Sequence, residues 1–323
     1  MLRTRLAPAA RALAAALRSS TSSTPQKPGS RGSRFLVWPT AGSRWEGGSG
    51  WRQAFSGAAC VAFAASLGGA GALCAAQGRK DERKAGYDRK VLVGIVRKAD
   101  EMFEQGDYLE LLTFLEGKGV ADAVDPELLW RFARALYDVA DKTGLSDKAA
   151  KQALVERAMS VIESALVGGA ENFAVRKWYG IILNKVGEYQ GTKATIKNSF
   201  VVREHWEAAA RLAPGDATSR ALLGEWCMGV AGLSAITRSV ASAIFASPPT
   251  ATYKEALQHF IAAENIQPGF WLKNQLNIAK CCVQVKDSAQ ARVWLEKALE
   301  TPASSDEDRE VQKEAKALLA KVK

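Results

Sequence analysis

Apolar residues recur at helical spacing through most of the chain, and one stretch shows the pattern most clearly. In Tyr253–Pro268, the residues Ala256, Phe260 and Ala263 fall three or four positions apart, on one face of a helix. Small residues at two of these positions would let a second helix approach, and the ring would fill the remaining gap. The closing proline cannot continue a helix. The stretch therefore predicts the second helix of a packed helix pair.

The same pattern returns in phase elsewhere in the chain. Equivalent small and large residues occur in three further copies: Ala158, Ile162 and Ala165; Val202, Trp206 and Ala209; and Ala291, Leu295 and Ala298. Gly180 and Gly224 each follow the last small residue of a copy by 15 positions, where the next first helix needs a small residue. Copies in phase are typical of tetratricopeptide (TPR) repeats. We predict an all-α, TPR-like helical repeat array, an α-solenoid, over residues 87–323.

An insertion at residues 229–250 is longer than a loop of such an array needs. Ile236, Val240 and Ile244 predict an extra apolar helix there, ended by Pro248 and the proline that follows it. Packing in the core is the default interpretation. The alternative is a helix that lines or covers a groove.

The last segment, residues 306–323, ends the array. Val311, Ala315, Leu318 and Leu319 share one face of a helix, and charged residues occupy the rest. A repeat array needs a terminal unit with a polar outer face for solubility. The segment therefore predicts a C-terminal capping helix.

The formal net charge of +10 is unevenly distributed. Residues 1–45 contain eight of the 44 basic residues and no acid, which leaves 36 basic against 34 acidic residues in the remainder. The repeat region is therefore close to neutral. We predict that it has no nucleic-acid partner.

Residues 1–24 predict a mitochondrial transit-like segment. They are rich in Arg, Ala, Leu and Ser, and Arg3, Arg11 and Arg18 can share one face of an amphipathic helix. A secretory signal would need a compact apolar run instead. A disordered basic tail is the alternative interpretation.

Residues 25–86 predict a flexible linker that contains an uncharged, Ala/Gly-rich stretch at 53–78. The stretch is long enough for a membrane span to be considered. Ala and Gly gain little from lipid, however, so a flexible extension or part of a sorting signal is the favoured interpretation.

Several longer stretches carry a resemblance to a known family. They are LWRFARALYD, NSFVVREHWEAAARLAPGD, LLGEWC, IFASPP, YKEALQHFIAAENIQPGFW and LNIAKC. Over roughly residues 90–320 the chain resembles the regulator of microtubule dynamics family, and it is most like the short first member.

This resemblance implies a TPR-like all-α domain that associates with microtubules or tubulin. It also implies a location at mitochondria and in the cytoplasm, the cytoskeleton and the mitotic spindle. A longer family member tethers organelles and binds phospholipid, which makes anionic phospholipid the alternative partner. The membrane anchor and the tethering motif of that longer member are not evident in this sequence.

The cysteines and histidines form no reactive pattern. The five cysteines contain no C-x-x-C pair, which argues against a metal site or a disulfide framework and favours buried thiols. His205 and His259 have no nucleophile at motif spacing. The stretch from Gly187 to Lys193 is similar to a phosphate loop, but its order is wrong and no strand precedes it. We predict a turn between helices there, and no catalytic residue, metal or cofactor in the chain.

Basic residues concentrate between Asn172 and Arg203, where Glu188 is the single acid. The basic residues of this segment are Arg176, Lys177, Lys185, Lys193, Lys197 and Arg203. A concentrated positive face would attract acidic tubulin tails or anionic lipid headgroups. The alternative is an ordinary solvated helix surface.

Two function classes remain open from the sequence. The first is a non-catalytic scaffold or adaptor that binds a protein, with microtubules as the named candidate. The second is a phospholipid-binding or lipid-transfer module, in which the array encloses an apolar cavity and the 229–250 insertion forms one wall.

Overall fold

A computed structural model describes residues 87–245 and 248–322. These ranges include the predicted repeat array, residues 87–323, apart from residues 246, 247 and 323. The transit-like segment and the linker with its uncharged stretch lie outside the described residues, and so do Cys60 and Cys74.

The described part of the chain consists of helices, and no strand occurs in it, which confirms the all-α prediction. A short 3-10 helix covers Val120–Asp122. The α-helices are α1 (Arg89–Gln105), α2 (Tyr108–Gly117), α3 (Pro126–Lys142), α4 (Lys148–Gly168), α5 (Phe173–Gln190), α6 (Thr192–Leu212), α7 (Ala217–Ala231), α8 (Ala235–Ile244), α9 (Tyr253–Ile266), α10 (Leu272–Gln284), α11 (Ser288–Glu300) and α12 (Asp306–Leu319).

The helices pack in pairs along the chain, with α8 inserted within the fourth pair, which confirms the TPR-like array. The pairs are α1 with α2, α3 with α4, α5 with α6, α7 with α9, and α10 with α11. We call α1, α3, α5, α7 and α10 the first helices, and the surface that they build the inner face. Within that surface, α3 contacts both α1 and α5, and α7 contacts α10.

Local sequence motifs set the helix boundaries. Asp125 caps α3 by accepting a hydrogen bond from the Glu127 N–H at 2.8 Å, and Pro126 occupies the first turn, where its missing N–H costs nothing. Thr252 and Glu255 form a reciprocal capping box at the start of α9. These side chains satisfy backbone groups that a helix end leaves without partners.

Large rings of the second helices fill spaces left by glycines of the first helices. Phe260 is fully buried against Gly224, where a Cβ atom would lie 2.6 Å from its Cδ1. Gly180 meets Trp206 in the same way, with a Cβ atom 2.6 Å from the indole Cδ1. The residues of the repeat pattern are all buried: Ala158, Ile162, Ala165, Gly180, Val202, Trp206, Ala209, Gly224, Ala256, Phe260, Ala263, Ala291, Leu295 and Ala298.

The insertion does form the predicted helix, but its orientation differs from the core-packing interpretation. Helix α8 lies against α6, a second helix, and the Phe200 and Phe245 rings meet edge to face at 4.8 Å. Ile236 is 79% exposed and Val240 is 37% exposed, so the prediction that they pack in the core is wrong.

The rotation of α8 is fixed by contacts with the end of α7. The Arg238 guanidinium donates hydrogen bonds to the carbonyl oxygens of Ala231 and Leu233, both at 3.1 Å. With Arg238 held there, Thr237 and Ala241 are the residues that become buried. The hydrogen bonds of Arg238, and not the apolar periodicity, therefore determine which face of this short helix is buried.

The C-terminal helix α12 packs on α10 and α11, as predicted for a cap. Val311 and Ala315 are buried, and Glu314 forms an ion pair with Lys280 of α10 at 2.8 Å. The remaining face of α12 is charged and exposed.

Within the described ranges, no single helix is both long and apolar enough to cross a membrane. Helices α7 and α8 reach that length and composition only when taken together, and a bend of 103° separates them.

We expect the contact between Gly224 and Phe260 to show strong energetic coupling. Gly224→Ala should destabilise the domain by about 1–3 kcal/mol, because the new methyl group overlaps the ring. Phe260→Ala should cost about 3–5 kcal/mol through the cavity that it leaves. In the Phe260→Ala background the glycine substitution should cost nothing, since the ring is gone and alanine favours a helix by about 1 kcal/mol.

Chemical denaturation of the two single variants and the double variant measures this coupling. Additive costs would contradict the packing described for the fourth pair.

Candidate binding site on the inner face

The predicted basic segment does not form one exposed positive surface, so that expectation is wrong. Lys177 is 14% exposed and forms an ion pair with Asp216 at 2.9 Å. Lys185 is 18% exposed and lies between Asp141 at 3.6 Å and Glu188 at 3.2 Å. These ammonium groups are neutralised inside the fold by acids, two of which lie elsewhere in the chain.

The other members of the segment point in different directions. The Arg176 guanidinium donates to the Ala170 carbonyl oxygen at 2.8 Å. Arg203 pairs with Glu207 at 2.7 Å. Lys193 and Lys197 are exposed at the start of α6. Of the six residues, these two lysines best match the predicted solvent-facing cations.

A different set of polar side chains meets on the inner face, contributed by four first helices. We call this set the inner-face cluster. Its members are Tyr137, Asp138, Asp141 and Lys142 of α3, Asn184, Lys185 and Glu188 of α5, Glu225 of α7, and Lys273 of α10.

Ion pairs connect the cluster across helix boundaries. Lys185 joins α5 to Asp141 of α3, and the Lys273 Nζ of α10 lies 2.8 Å from Glu225 Oε1 of α7. The positive charge of Lys273 also acts on Glu188. The cluster is therefore one electrostatic unit that extends from α3 to α10.

Tyr137 lies at the centre of the inner-face cluster. Its side chain is 4% exposed, and its ring packs edge to face on Trp178 with centroids 5.8 Å apart. Burial raises the pKa of the phenol well above its ordinary value, and the nearby carboxylates raise it further. Those carboxylates are Asp141, Glu188, Asp138 and Glu225. The Oη atom has no hydrogen-bond partner among the described residues.

Asp138 is fully buried beside Tyr137. The Lys142 Nζ lies 2.9 Å from its Oδ1, while Oδ2 has no hydrogen-bond partner in the described part of the chain. Burial raises the pKa of Asp138, and the positive charges of Lys142 and Arg134 only partly offset this effect. Burial likewise raises the pKa of Glu188 despite the neighbouring lysine on α5.

The charges of the cluster do not balance. Among the described residues, the four carboxylates are matched by three ammonium groups, those of Lys142, Lys185 and Lys273. An adjacent group on α1 and α3 is balanced: Arg131 binds Asp100 at 2.7 Å and Glu127 at 2.6 Å, and Arg134 binds Asp100 at 3.3 Å. The inner-face cluster thus has an excess of one negative charge.

A second buried polar group shows a carboxylate whose oxygens both have partners within the fold. Glu264 is 3% exposed and accepts hydrogen bonds from the Gly269 N–H, Asn274, Gln275 and Lys297, at 2.9–3.1 Å. Burial alone would raise the pKa of Glu264, but these hydrogen bonds outweigh burial and lower it. Glu264 therefore connects α9 with α10 and α11, and its carboxylate oxygens accept their hydrogen bonds from groups within the fold.

The remaining reactive side chains are core residues. Cys227, Cys281 and Cys282 are free and buried, and burial raises the pKa of Cys227 to about 11 and of Cys281 to about 12. His205 stacks on Tyr179 at 4.0 Å, and burial lowers its pKa to about 4. Across the described residues, no group of three or more His, Cys, Asp and Glu side chains is placed to hold a metal ion.

Sequence reasoning missed the inner-face cluster, although α3 carried a signal. Every residue from Leu128 to Ala140 is buried, and three of them are charged: Arg131, Arg134 and Asp138. These lie three and four positions apart, on one face of the helix. Charges that form a stripe on an otherwise apolar helix indicate a buried polar surface, since charged residues are rarely buried without partners.

The fold and the inner-face cluster together define a TPR-like helical-repeat scaffold with a charged inner face. A family model described as regulator of microtubule dynamics protein 1-3 matches residues 95–323. The chain belongs to this family.

Individual relatives agree with this assignment. Regulator of microtubule dynamics protein 1 of Bos taurus is 40% identical over 225 residues, which cover 70% of this chain and 70% of that protein. The protein of the same name in Mus musculus is 39% identical and covers 70% and 73%. Regulator of microtubule dynamics protein 3 of Xenopus laevis is 38% identical over 184 residues, 57% of this chain and 39% of that protein.

Solved structures with a similar chain path include a TPR protein of Thermus thermophilus. It is 14% identical, covers 69% of this chain and 98% of its own, and gives a TM-score of 0.48. MamA of Desulfovibrio magneticus is 19% identical, covers 69% and 99%, and gives a TM-score of 0.42.

We expect Tyr137→Phe to leave the domain as stable as the wild type or to stabilise it by about 1 kcal/mol. The substitution removes a buried hydroxyl that makes no hydrogen bond to the described residues, so it removes a desolvation cost and leaves no partner behind. Thermal and urea denaturation would measure the change. A loss of more than about 1 kcal/mol would mean that the hydroxyl has a structural partner.

Proposed function

We propose that this protein is a non-catalytic, TPR-like scaffold or adaptor that associates with microtubules, and that it is present at mitochondria and at the mitotic spindle. The observation that carries the proposal is the family match over residues 95–323. The relatives' names connect the family with microtubule dynamics. A rigid array of helix pairs suits such a role, because stacked repeats offer an extended surface to a partner.

Two surfaces of the array differ in charge, and this difference guides the choice of a microtubule-binding residue. The inner-face cluster has an excess of negative charge and would repel an acidic polypeptide. Lys193 and Lys197 are exposed near the start of α6 and lie four residues apart on one helix face. We therefore assign the contact with acidic tubulin segments to these two lysines.

We expect reversal of Lys193 and Lys197 to glutamate to weaken co-sedimentation with microtubules by about fivefold to tenfold at low salt. The defect should shrink at higher ionic strength, because salt screens exposed charges. The reversal of Lys313 and Lys316, two exposed lysines of α12, makes the same change in net charge and should leave binding unchanged.

If the reversal of Lys193 and Lys197 binds microtubules as well as the reversal of Lys313 and Lys316 does, the two lysines of α6 are not part of the contact. Absence of wild-type binding at any salt concentration would contradict the microtubule proposal itself. Flotation with anionic liposomes, run in parallel, tests the alternative lipid function: a defect confined to liposomes would favour phospholipid as the ligand of this surface.

The mitochondrial location rests on the basic, acid-free segment at residues 1–24. We expect replacement of Arg3, Arg5, Arg11 and Arg18 by glutamine to abolish import, because targeting helices of this kind depend on positive charge. Import into isolated mitochondria, followed by protease protection, measures the effect. Undiminished import of the substituted chain would contradict the proposal.

A further inference from the structure

We infer that the inner-face cluster is a recognition site for a cationic side chain, an arginine or a lysine presented by an extended segment of a partner protein. The inference deepens the scaffold function proposed above and rests on it, since it names the class of segment that the array would hold.

The fold leaves hydrogen-bonding capacity unused at the centre of the cluster. Tyr137 Oη is buried without a partner in the described residues, and so is Asp138 Oδ2. A buried polar atom without a partner costs free energy. Both atoms can accept a hydrogen bond from an N–H donor, and a guanidinium or ammonium group provides several donors and no acceptor.

The charge of the cluster also favours a cation. Asp138, Asp141, Glu188 and Glu225 come to one place, and the lysines that pair with them leave one negative charge over. A ligand with a single positive charge would restore the balance. An acidic segment would add a fifth negative charge in a region of low dielectric constant, where repulsion is strong.

Solvent reaches the carboxylates at the edge of the cluster. Glu188 is 25% exposed and Asp141 is 17% exposed, and the charges of both carboxylates act on the buried phenol. Trp178 packs on the Tyr137 ring and is itself only half-buried. An arginine that enters beside Glu188 would meet an indole and a phenol, and planar guanidinium groups bind well against aromatic rings.

A metal ion fits this place poorly. Lys185 Nζ lies between Asp141 at 3.6 Å and Glu188 at 3.2 Å, and Lys273 Nζ is 2.8 Å from Glu225, so ammonium groups already occupy positions beside three of the carboxylates. A side-chain cation with directed N–H donors can be added beside these lysines by binding the phenol and Asp138. The site therefore favours an organic cation.

The test uses the full-length chain and a fluorescein-labelled peptide of about twelve residues with a repeating Gly-Ser-Arg sequence, a length suited to an extended segment in a groove. A matched peptide carries citrulline, which has nearly the shape of arginine but no charge. We expect fluorescence anisotropy to show saturable binding of the arginine peptide and binding of the citrulline peptide weakened by about tenfold or more.

Two conservative variants locate the site. Tyr137→Phe and Glu188→Gln should each weaken binding of the arginine peptide by about tenfold, because each removes an acceptor or a charge that contacts the cation. The control, Glu163→Gln combined with Glu300→Gln, removes two exposed acids on α4 and α11 and should bind like the wild type. Circular dichroism confirms that all variants are folded.

Each result has a definite meaning. Failure of the arginine peptide to bind, or equal binding by wild type, Tyr137→Phe and Glu188→Gln, would overturn the inference. Microtubule co-sedimentation of the same variants keeps the two proposals separate: Tyr137→Phe should pellet like the wild type. If the peptide binds as expected but the wild-type chain does not pellet, the microtubule proposal fails and the cation site stands.

Discussion

The close approach of paired helices at a glycine is the constraint on which the rest of the structure depends. Phe260 occupies the space that Gly224 leaves open, and Trp206 does the same at Gly180. With any side chain at either glycine, the ring and the new Cβ atom would overlap. Because these contacts fix how the helices of the third and fourth pairs meet, they also set where α5 and α7 present their opposite sides to the inner face.

The inner face is polar and incompletely satisfied. The residues that α3 and α5 turn towards each other include an ion pair, Lys185 with Asp141, and an aromatic contact, Tyr137 with Trp178. Where the partners are fixed by the fold, as at Glu264, the hydrogen bonds outweigh burial and the pKa falls. Around Tyr137 the carboxylates outnumber the ammonium groups, and the phenol stays without a partner in the described residues. Proteins often retain such local costs at sites that bind a ligand.

The sequence allowed the fold to be predicted because its determinants are local. The small and large residues around Phe260 lie within one helix, and the caps at Asp125 and Thr252 span three or four residues. The inner-face cluster depends on residues far apart in the chain: Lys185 meets Asp141, and Lys273 meets Glu225. The apolar periodicity of a single helix does not predict these ion pairs, because they form only when successive helix pairs stack.

The same limit explains the two expectations that failed. The basic segment looked unpaired because Asp141 and Asp216, the acids that neutralise Lys185 and Lys177, lie outside it. Helix α8 is apolar on more than one side, and its rotation is decided by Arg238, which binds carbonyl groups at the end of α7. In both cases a polar contact with another part of the chain determines which side chains are buried and which are exposed.

Tyr137 reports most directly on whether the inner face is a binding surface. The chain has six tyrosines, so ring-labelled tyrosine gives an NMR spectrum simple enough to assign by substitution. Titration with the arginine peptide should shift the Tyr137 signal progressively until the site is saturated, while Tyr87, which precedes α1, stays unmoved. Peptide binding that leaves the Tyr137 signal in place would contradict a cation site on the inner face.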